Sequence, residues 1–157
     1  LIGAEWTEID GGLWAVPAGR MKGGREHVVP LARQTLAILA ELKPLAGGSR
    51  FVFPSRNRDK PISNNTMLFA LYRLGYRGRM TGHGFRAVAS TALNEMGYRP
   101  DVIEAQLAHQ EKNAVRAAYN RALYLPERVA MMQNWADYLD GLRAGAEILP
   151  IRKSAAP

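Results

Sequence analysis

"TGHGFRAVAST", residues 81–91, opens the segment from which the organisation of this 157-residue chain is best worked out. With the residues after it, this stretch predicts a helix from about His83 to Met96. His83 and Arg86 are three residues apart, so both side chains project from one face of that helix. An imidazole beside a guanidinium suits a phosphodiester, because Arg offers a rigid fork to two oxygens and His donates a hydrogen bond or moves a proton. Alone, H-x-x-R is more typical of a surface or helix-capping pair.

The sequence "LAHQEKNAVRAAYNR", at 107–121, adds a second histidine and a tyrosine. His109 ends one predicted helix, and Tyr119 follows ten residues later in another. A tyrosine in such a place is most often a half-buried helix residue. Its neighbours Arg116 and Arg121 nevertheless favour a phenolate and a nearby phosphate, and a phenol can then act as a covalent nucleophile.

Lys22 lies in "RMKGGRE", where the glycines predict a β-turn with the lysine at its tip. A lysine in such a turn is usually solvated. The glycines also allow the hairpin to bend, so that the lysine can approach a substrate as a general acid. The candidate site residues are therefore Lys22, His83, Arg86, His109 and Tyr119.

The first 30 residues predict short strands. "EWTEID" and "LWAV" are separated by Gly11-Gly12, which predicts a hairpin turn, and "EHVVPL" follows a second turn at Gly23-Gly24. Three short antiparallel strands are therefore expected at the N-terminal edge of the fold.

Helical periodicity begins after Pro30 and continues along the rest of the chain. The predicted helices are one that ends near Pro44 and Gly47-Gly48, one capped by Ser63 with a stripe of Met67, Leu71 and Leu74, one from His83 to Met96, one opened by Pro100, one over residues 113–121, and one opened by Pro126. The expected fold class is mainly α (α+β), a helical bundle with a small three-stranded antiparallel sheet on its N-terminal side. Residues 1–144 are expected to form one domain, followed by a C-terminal tail at 145–157.

The chain is basic and lacks cysteine, with 21 Lys and Arg against 14 Asp and Glu and a formal net charge of +7. Such a balance favours a polyanionic partner, because Lys and Arg placed on phosphates release counterions, although a merely soluble basic domain fits the charge equally well. The missing cysteine excludes disulfides and thiol chemistry, and three histidines make a poor zinc set. The start does not resemble a signal peptide, and no apolar run approaches the roughly 20 residues of a membrane span, so a cytoplasmic protein is expected.

Taken together, a lysine in a β-hairpin, then H-x-x-R, then "LAH" and a tyrosine ten residues later resemble the catalytic domain of the tyrosine recombinases. Three segments are similar in sequence to prophage and satellite-phage integrases: "MTGHGFRAVASTALNEMGY", "AQLAHQEKNAVRAAYNRA" and "YLPERVAMMQNWADYLD". The similarity extends from about Ala4 to Leu139. The resemblance implies the fold of the DNA breaking-rejoining enzymes, with residues 1–144 as the catalytic domain. It also implies site-specific DNA recombination that integrates and excises a prophage or genomic island.

The resemblance assigns a role to each candidate residue. It implies that Tyr119 attacks the scissile phosphate and forms a 3′-phosphotyrosyl link, which releases a 5′-hydroxyl. Arg86 would clamp the non-bridging oxygens, and His83 would hydrogen-bond the phosphate and assist proton transfer. Lys22 would protonate the leaving 5′-oxygen, and His109 would complete the contacts to the phosphate.

The same resemblance implies that no metal and no organic cofactor is required, because Arg, Lys and His supply the positive charge. The expected partners are duplex DNA attachment sites, further integrase protomers in a synaptic tetramer, and an excisionase or DNA-bending protein. No membrane partner is expected, and the expected location is the cytoplasm of a bacterial host.

One departure from the family pattern bears on activity. The family has another catalytic arginine in a segment resembling R-x-x-E-L, which would precede Leu1, as would the N-terminal DNA-binding regions. The chain is therefore expected to be a C-terminal fragment that is inactive or strongly impaired by itself.

Other readings remain open at the level of sequence. A type IB topoisomerase-like enzyme would use the same residues but rejoin the original strand. The sequence around and after Tyr119 favours an integrase over such a topoisomerase. A catalytically impaired DNA-binding remnant is a second alternative. A basic helical domain with no nucleic-acid role is the least favoured.

Overall fold

The computed structural model describes residues 1–108 and 124–145, and its N-terminal part is a three-stranded antiparallel sheet. The strands are β1 (Ile9–Asp10), β2 (Leu13–Val16) and β3 (His27–Pro30), in the order β1-β2-β3. Asp10 pairs with Leu13, so Gly11 and Gly12 form a two-residue turn, with φ angles of +53° and +81°. Both positions require positive φ, which glycine adopts most easily, and this confirms the predicted hairpin.

The segment before β1 differs from the predicted strand. Trp6–Glu8 forms a 3₁₀ helix, and only Ile9–Asp10 pairs with β2. The Glu8 carboxylate turns back to accept hydrogen bonds from the backbone N–H of Glu5 at 3.2 Å and from the Trp14 indole at 3.0 Å. This side-chain capping stabilises a turn where the sequence pattern predicts an extended chain.

Five helices lie in the described part of the chain, which confirms the predicted mainly helical fold with a small sheet. They are α1 (Arg33–Leu45), α2 (Thr66–Arg73), α3 (Gly82–Glu95), α4 (Pro100–Gln106) and α5 (Leu125–Arg143). The predicted openings of α4 and α5 near Pro100 and Pro126 are confirmed. The helix predicted over 113–121 and the tail beyond residue 145 lie outside the described residues.

The predicted end of α1 is confirmed, and the predicted start of α2 is wrong. Helix α1 ends at Leu45, one residue after Pro44, which lies in its last turn, and Gly47 follows at φ +57°. Helix α2 begins at Thr66, and Ser63 is not its N-cap. The Ser63 carbonyl accepts from the Thr66 N–H at 3.0 Å, so the serine belongs to a turn ahead of the helix.

The predicted apolar stripe of α2 is correct only at Leu71. Met67 and Leu74 are 42% and 71% exposed, whereas Leu71 is half-buried together with Leu68 and Tyr72. Because successive helix residues are about 100° apart, Leu68, Leu71 and Tyr72 share the inward face, and Met67 lies one residue away from it, towards solvent.

The core joins α3, α4 and α5. Leu93 of α3, Val102 and Ile103 of α4, and Met131 of α5 are almost completely buried against one another. Helix α5 also packs on α1 and on β3. It therefore connects the helices to the sheet and fixes where α3 and the end of α4 lie.

Candidate functional site

The first two turns of α3 carry His83 and Arg86. The Thr81 hydroxyl caps this helix by accepting a hydrogen bond from the Gly84 N–H at 3.2 Å. His83 is exposed and Arg86 is half-buried one turn later. Neither side chain forms a hydrogen bond or ion pair with another residue in the described ranges 1–108 and 124–145. No residue in these ranges therefore occupies the hydrogen-bonding groups of the imidazole and the guanidinium.

An arginine-rich segment leads from α2 into α3. Arg73, Arg77 and Arg79 are all exposed, and no carboxylate in the described part of the chain pairs with them. The Arg77 guanidinium lies 5.5 Å from the centre of the Tyr72 ring, at a distance typical of a cation–π contact. This uncompensated positive charge, next in sequence to the first turn of α3, favours an anionic ligand at that turn.

Lys22 lies where the sequence predicts it. The Met21 carbonyl accepts a hydrogen bond from the Gly24 N–H at 2.9 Å, which closes a β-turn with Lys22 at its second position. The lysine is exposed and has no hydrogen-bond or ion-pair partner among the residues that the structure describes. The described contacts do not join this turn to His83 or Arg86.

His109 and Tyr119 lie outside the described residues, but the chain on either side of them is placed. Helix α4 ends at Gln106, and Ala108 has a φ angle of +51°, in the left-handed region that favours glycine. On the far side, the chain enters α5 at Leu125.

A buried arginine, which was not among the predicted site residues, holds these two ends together. Arg128 of α5 is 3% exposed, and its Nε donates to the Gln106 side-chain oxygen at 2.9 Å. The same guanidinium donates to the Val28 carbonyl of β3. His27 Nε2 lies 3.1 Å from the Gln106 carbonyl, and since a carbonyl only accepts, this nitrogen carries the hydrogen. We refer to Arg128, Gln106, Val28 and His27 as the Gln106 cluster.

Burial of Arg128 lowers the pKa of its guanidinium to about 10. The group is still charged at neutral pH, and its described partners are neutral oxygens. A signal for this residue existed in the sequence: Arg128 lies three and four residues before Met131 and Met132, on the stripe that packs into the core. An arginine at such a position is normally assigned to solvent.

Tyr124 lies beside a carboxylate that stabilises its protonated form. A hydrogen bond to the Asp101 carboxylate raises the pKa of the Tyr124 phenol above its ordinary value. A neighbouring carboxylate stabilises the protonated phenol and opposes the negative charge of a phenolate. Asp101 is itself held by the Arg99 guanidinium at 2.6 Å.

In the described part of the chain, no group of three or more His, Asp or Glu side chains is arranged to hold a metal ion. No helix there is long and apolar enough to cross a membrane.

Comparisons with known proteins agree on one family. The model of the phage integrase family matches residues 1–125. The chain is 51% identical over 149 residues to the prophage integrase IntA of Escherichia coli K12, an alignment that covers 93% of this chain and 36% of that protein. It is 49% identical to the prophage integrase IntZ of the same strain, covering 90% of this chain and 35% of IntZ.

The integrase of Enterobacteria phage P4 is 43% identical, with 87% of this chain and 36% of the phage protein covered. The chain thus spans 36%, 35% and 36% of the length of these three relatives. No solved structure gives a significant match.

Proposed function

Because the chain belongs to the phage integrase family, we propose that it supplies the strand-cleaving part of a site-specific DNA recombinase. The proposed reaction integrates and excises a prophage or genomic island through a covalent 3′-phosphotyrosyl DNA intermediate. Residues 1–144 would form the catalytic domain, with 145–157 as a tail.

The observation that carries this proposal is the first two turns of α3. His83 and Arg86 present an imidazole and a guanidinium on one helix face, without protein partners among the described residues. The exposed arginines at 73, 77 and 79 precede these turns in the chain. Such a surface can bind a phosphodiester of the DNA backbone and stabilise negative charge that develops on its oxygens.

In the proposed chemistry, the Tyr119 oxygen attacks the phosphorus of the scissile phosphate, and the bond from phosphorus to the 5′-oxygen breaks. Arg86, His83 and His109 would hold the phosphoryl oxygens while negative charge grows on them. Lys22 would give a proton to the departing 5′-oxygen, and His83 would assist removal of the phenolic proton. Because the phosphotyrosine conserves the energy of the broken ester, the 5′-hydroxyl of a partner strand can attack it without a nucleotide cofactor.

Two observations favour Tyr119 as the nucleophile: its arginine neighbours in the sequence and the raised pKa of the alternative phenol, Tyr124. The carboxylate beside Tyr124 raises the pKa of that phenol, which is the opposite of what a nucleophile requires. The corresponding surroundings of Tyr119 in the sequence, Arg116 and Arg121, carry positive charge.

The proposed partners are duplex DNA at attachment sites, further integrase protomers in a synaptic tetramer, and an excisionase or DNA-bending protein. The proposed location is the cytoplasm of a bacterial host. The alternative of a type IB topoisomerase-like enzyme is not favoured, because the relatives compared above are all named integrases.

A nicked attachment-site substrate tests the proposal. After cleavage, the short strand beyond the nick diffuses away, so a phosphotyrosyl adduct accumulates on the protein. We would assay a protein of the relatives' full length that contains this chain. Tyr119→Phe should abolish the adduct while DNA binding persists, and the matched variant Tyr124→Phe should retain it. An adduct that survives Tyr119→Phe, or that Tyr124→Phe removes, would contradict the assignment.

A further inference from the structure

The Gln106 cluster contains a charge that the proposed chemistry does not use. Arg128 is buried between α4, α5 and β3, and no carboxylate in the described ranges forms an ion pair with it. Its described hydrogen bonds go to the Gln106 amide oxygen at 2.9 Å and to the Val28 carbonyl.

Stability alone gives a weak reason for an arginine at this place. Burying a guanidinium removes its hydration, and replacing buried charged groups by apolar residues of similar volume is often neutral or stabilising. What an apolar residue cannot do is donate hydrogen bonds in fixed directions to two elements at once. The arginine therefore provides geometry that a methionine of similar size would not.

The hydrogen bonds of Arg128 hold the described residues on both sides of segment 109–123. Gln106 is the last residue of α4 and lies three residues before His109, while Arg128 lies nine residues after Tyr119. The Gln106 carbonyl also accepts the hydrogen bond from His27, so the same residue is held from β3 and from α5. Ala108, at φ +51°, turns the chain immediately after this anchored residue.

We propose that Arg128 is a positioning residue for DNA strand cleavage, which joins the end of α4 and the start of α5 to β3 and so fixes the points from which residues 109–123 depart. The inference rests on the proposed function, because it is this segment that carries His109 and Tyr119. Arg128 would act through its hydrogen bonds to Gln106 and Val28.

Four variants separate positioning from simple stabilisation. Arg128→Met removes the donors and keeps the volume, and Arg128→Lys keeps the charge without the planar fork. Gln106→Glu retains an oxygen that can accept the hydrogen bond from Arg128, and so serves as the conservative rescue. The matched control is Arg143→Met, which removes an exposed arginine from the last turn of the same helix.

The first measurement, hydrogen–deuterium exchange of backbone amides, does not depend on catalysis. For Arg128→Met, the amides at the end of α4 should exchange about 10- to 100-fold faster, because hydrogen bonds from a charged donor have been lost. Amides of α3 should remain as protected as in the wild type, and the melting temperature should change by no more than about 4 °C. Gln106→Glu and Arg143→Met should exchange like the wild type.

The second measurement is the single-turnover rate of adduct formation on the nicked substrate. Arg128→Met should cleave about 10- to 100-fold more slowly at unchanged DNA affinity, since small displacements of a reacting group cost that much, and Arg128→Lys should lie between it and the wild type. Wild-type exchange and wild-type cleavage in Arg128→Met would overturn the proposal, as would uniformly faster exchange with a large fall in melting temperature. If the wild type forms no adduct, the proposed function fails, and the exchange data alone decide whether Arg128 anchors the segment.

Discussion

At the scale of single residues, the first two turns of α3 combine an exposed imidazole with a half-buried guanidinium, and neither is neutralised by a described carboxylate. Arg86→Ala should lower the rate of phosphotyrosyl formation about 100- to 1,000-fold, the typical loss on removing a preorganised donor from developing charge. His83→Ala should cause a smaller loss, because an imidazole offers one directed hydrogen bond where a guanidinium offers two. Single-turnover cleavage measures both.

The control for this comparison is Arg143→Ala, at the far end of α5, which should cleave at the wild-type rate. Arg86→Lys should keep DNA affinity yet recover only part of the rate, because a point charge does not replace a bidentate fork. Equal rates for wild type and Arg86→Ala would remove Arg86 from the proposed site.

Ala108 offers a separate test of backbone strain. Its φ angle of +51° places a Cβ in the left-handed region, at a cost of about 1–2 kcal/mol that glycine does not incur. Ala108→Gly should therefore raise the melting temperature by about 2–4 °C. Ala105→Gly, inside α4, is the opposite case and should destabilise by about 1 kcal/mol. Thermal denaturation that shifts both variants in the same direction would show that the backbone angle at Ala108 does not matter.

At the scale of elements, α1 and α5 are joined by a polar contact that depends on pH. The Asp137 carboxylate accepts from Gln34 at 2.6 Å and from Gln133 at 2.9 Å, and these hydrogen bonds lower the pKa of Asp137 below its ordinary value of 3.8. A lowered pKa in the folded state means that the contribution to stability is present above the unfolded value and is lost as pH falls through the folded one.

Asp137→Asn should consequently flatten the fall in melting temperature between about pH 5 and pH 2, relative to the wild type. Asp10→Asn is a suitable control, since this aspartate lies in β1, away from the α1–α5 contact. If the melting temperatures of the wild type and of Asp137→Asn fall equally steeply with pH, this carboxylate makes no measurable contribution.

The elements also show what the sequence could predict. Two glycines with positive φ and prolines at the openings of α4 and α5 are local signals, and the hairpin and both helix starts are confirmed. The inward face of α2 depends on which elements the helix packs against, and the predicted stripe is correct only at Leu71. The structure places His83 and Arg86 on the predicted helix and Lys22 in the predicted turn, while their roles in a site stay predictions. Arg128 was not predicted as a buried residue because arginine side chains normally lie in solvent, although Arg128 lies on the same helix face as Met131.

At the scale of the whole molecule, the formal net charge of +7 should make DNA binding depend steeply on salt. Each phosphate contact adds about −0.9 to the slope of log affinity against log salt, with little sequence preference. Replacing Arg73, Arg77 and Arg79 by alanine should reduce the slope by about 0.9 for each arginine that contacts a phosphate. Fluorescence anisotropy on duplex DNA across a salt series measures this.

Arg99→Ala is the matched control for that series, because Arg99 is already paired with Asp101 at 2.6 Å and with Glu127 at 3.5 Å. Its slope should equal that of the wild type. Binding that does not respond to salt, or a slope unchanged by loss of all three exposed arginines, would exclude this surface as a phosphate-binding one.

The packing of α5 on the sheet and on α1 also determines the order in which the chain can acquire its structure. The contacts of Arg128 with Val28, of Arg33 with Gln133 and of Gln34 with Asp137 join residues 100, 100 and 103 positions apart. Closing such long loops is entropically slow, so this protein should fold more slowly than a helical bundle with local contacts. During synthesis, β3 and α1 emerge long before α5 and leave uncovered the surfaces that α5 later occupies. A nascent chain is therefore most open to aggregation or proteolysis in that interval, and the scaffold around the candidate site is completed only when α5, the last of the described helices, has been made.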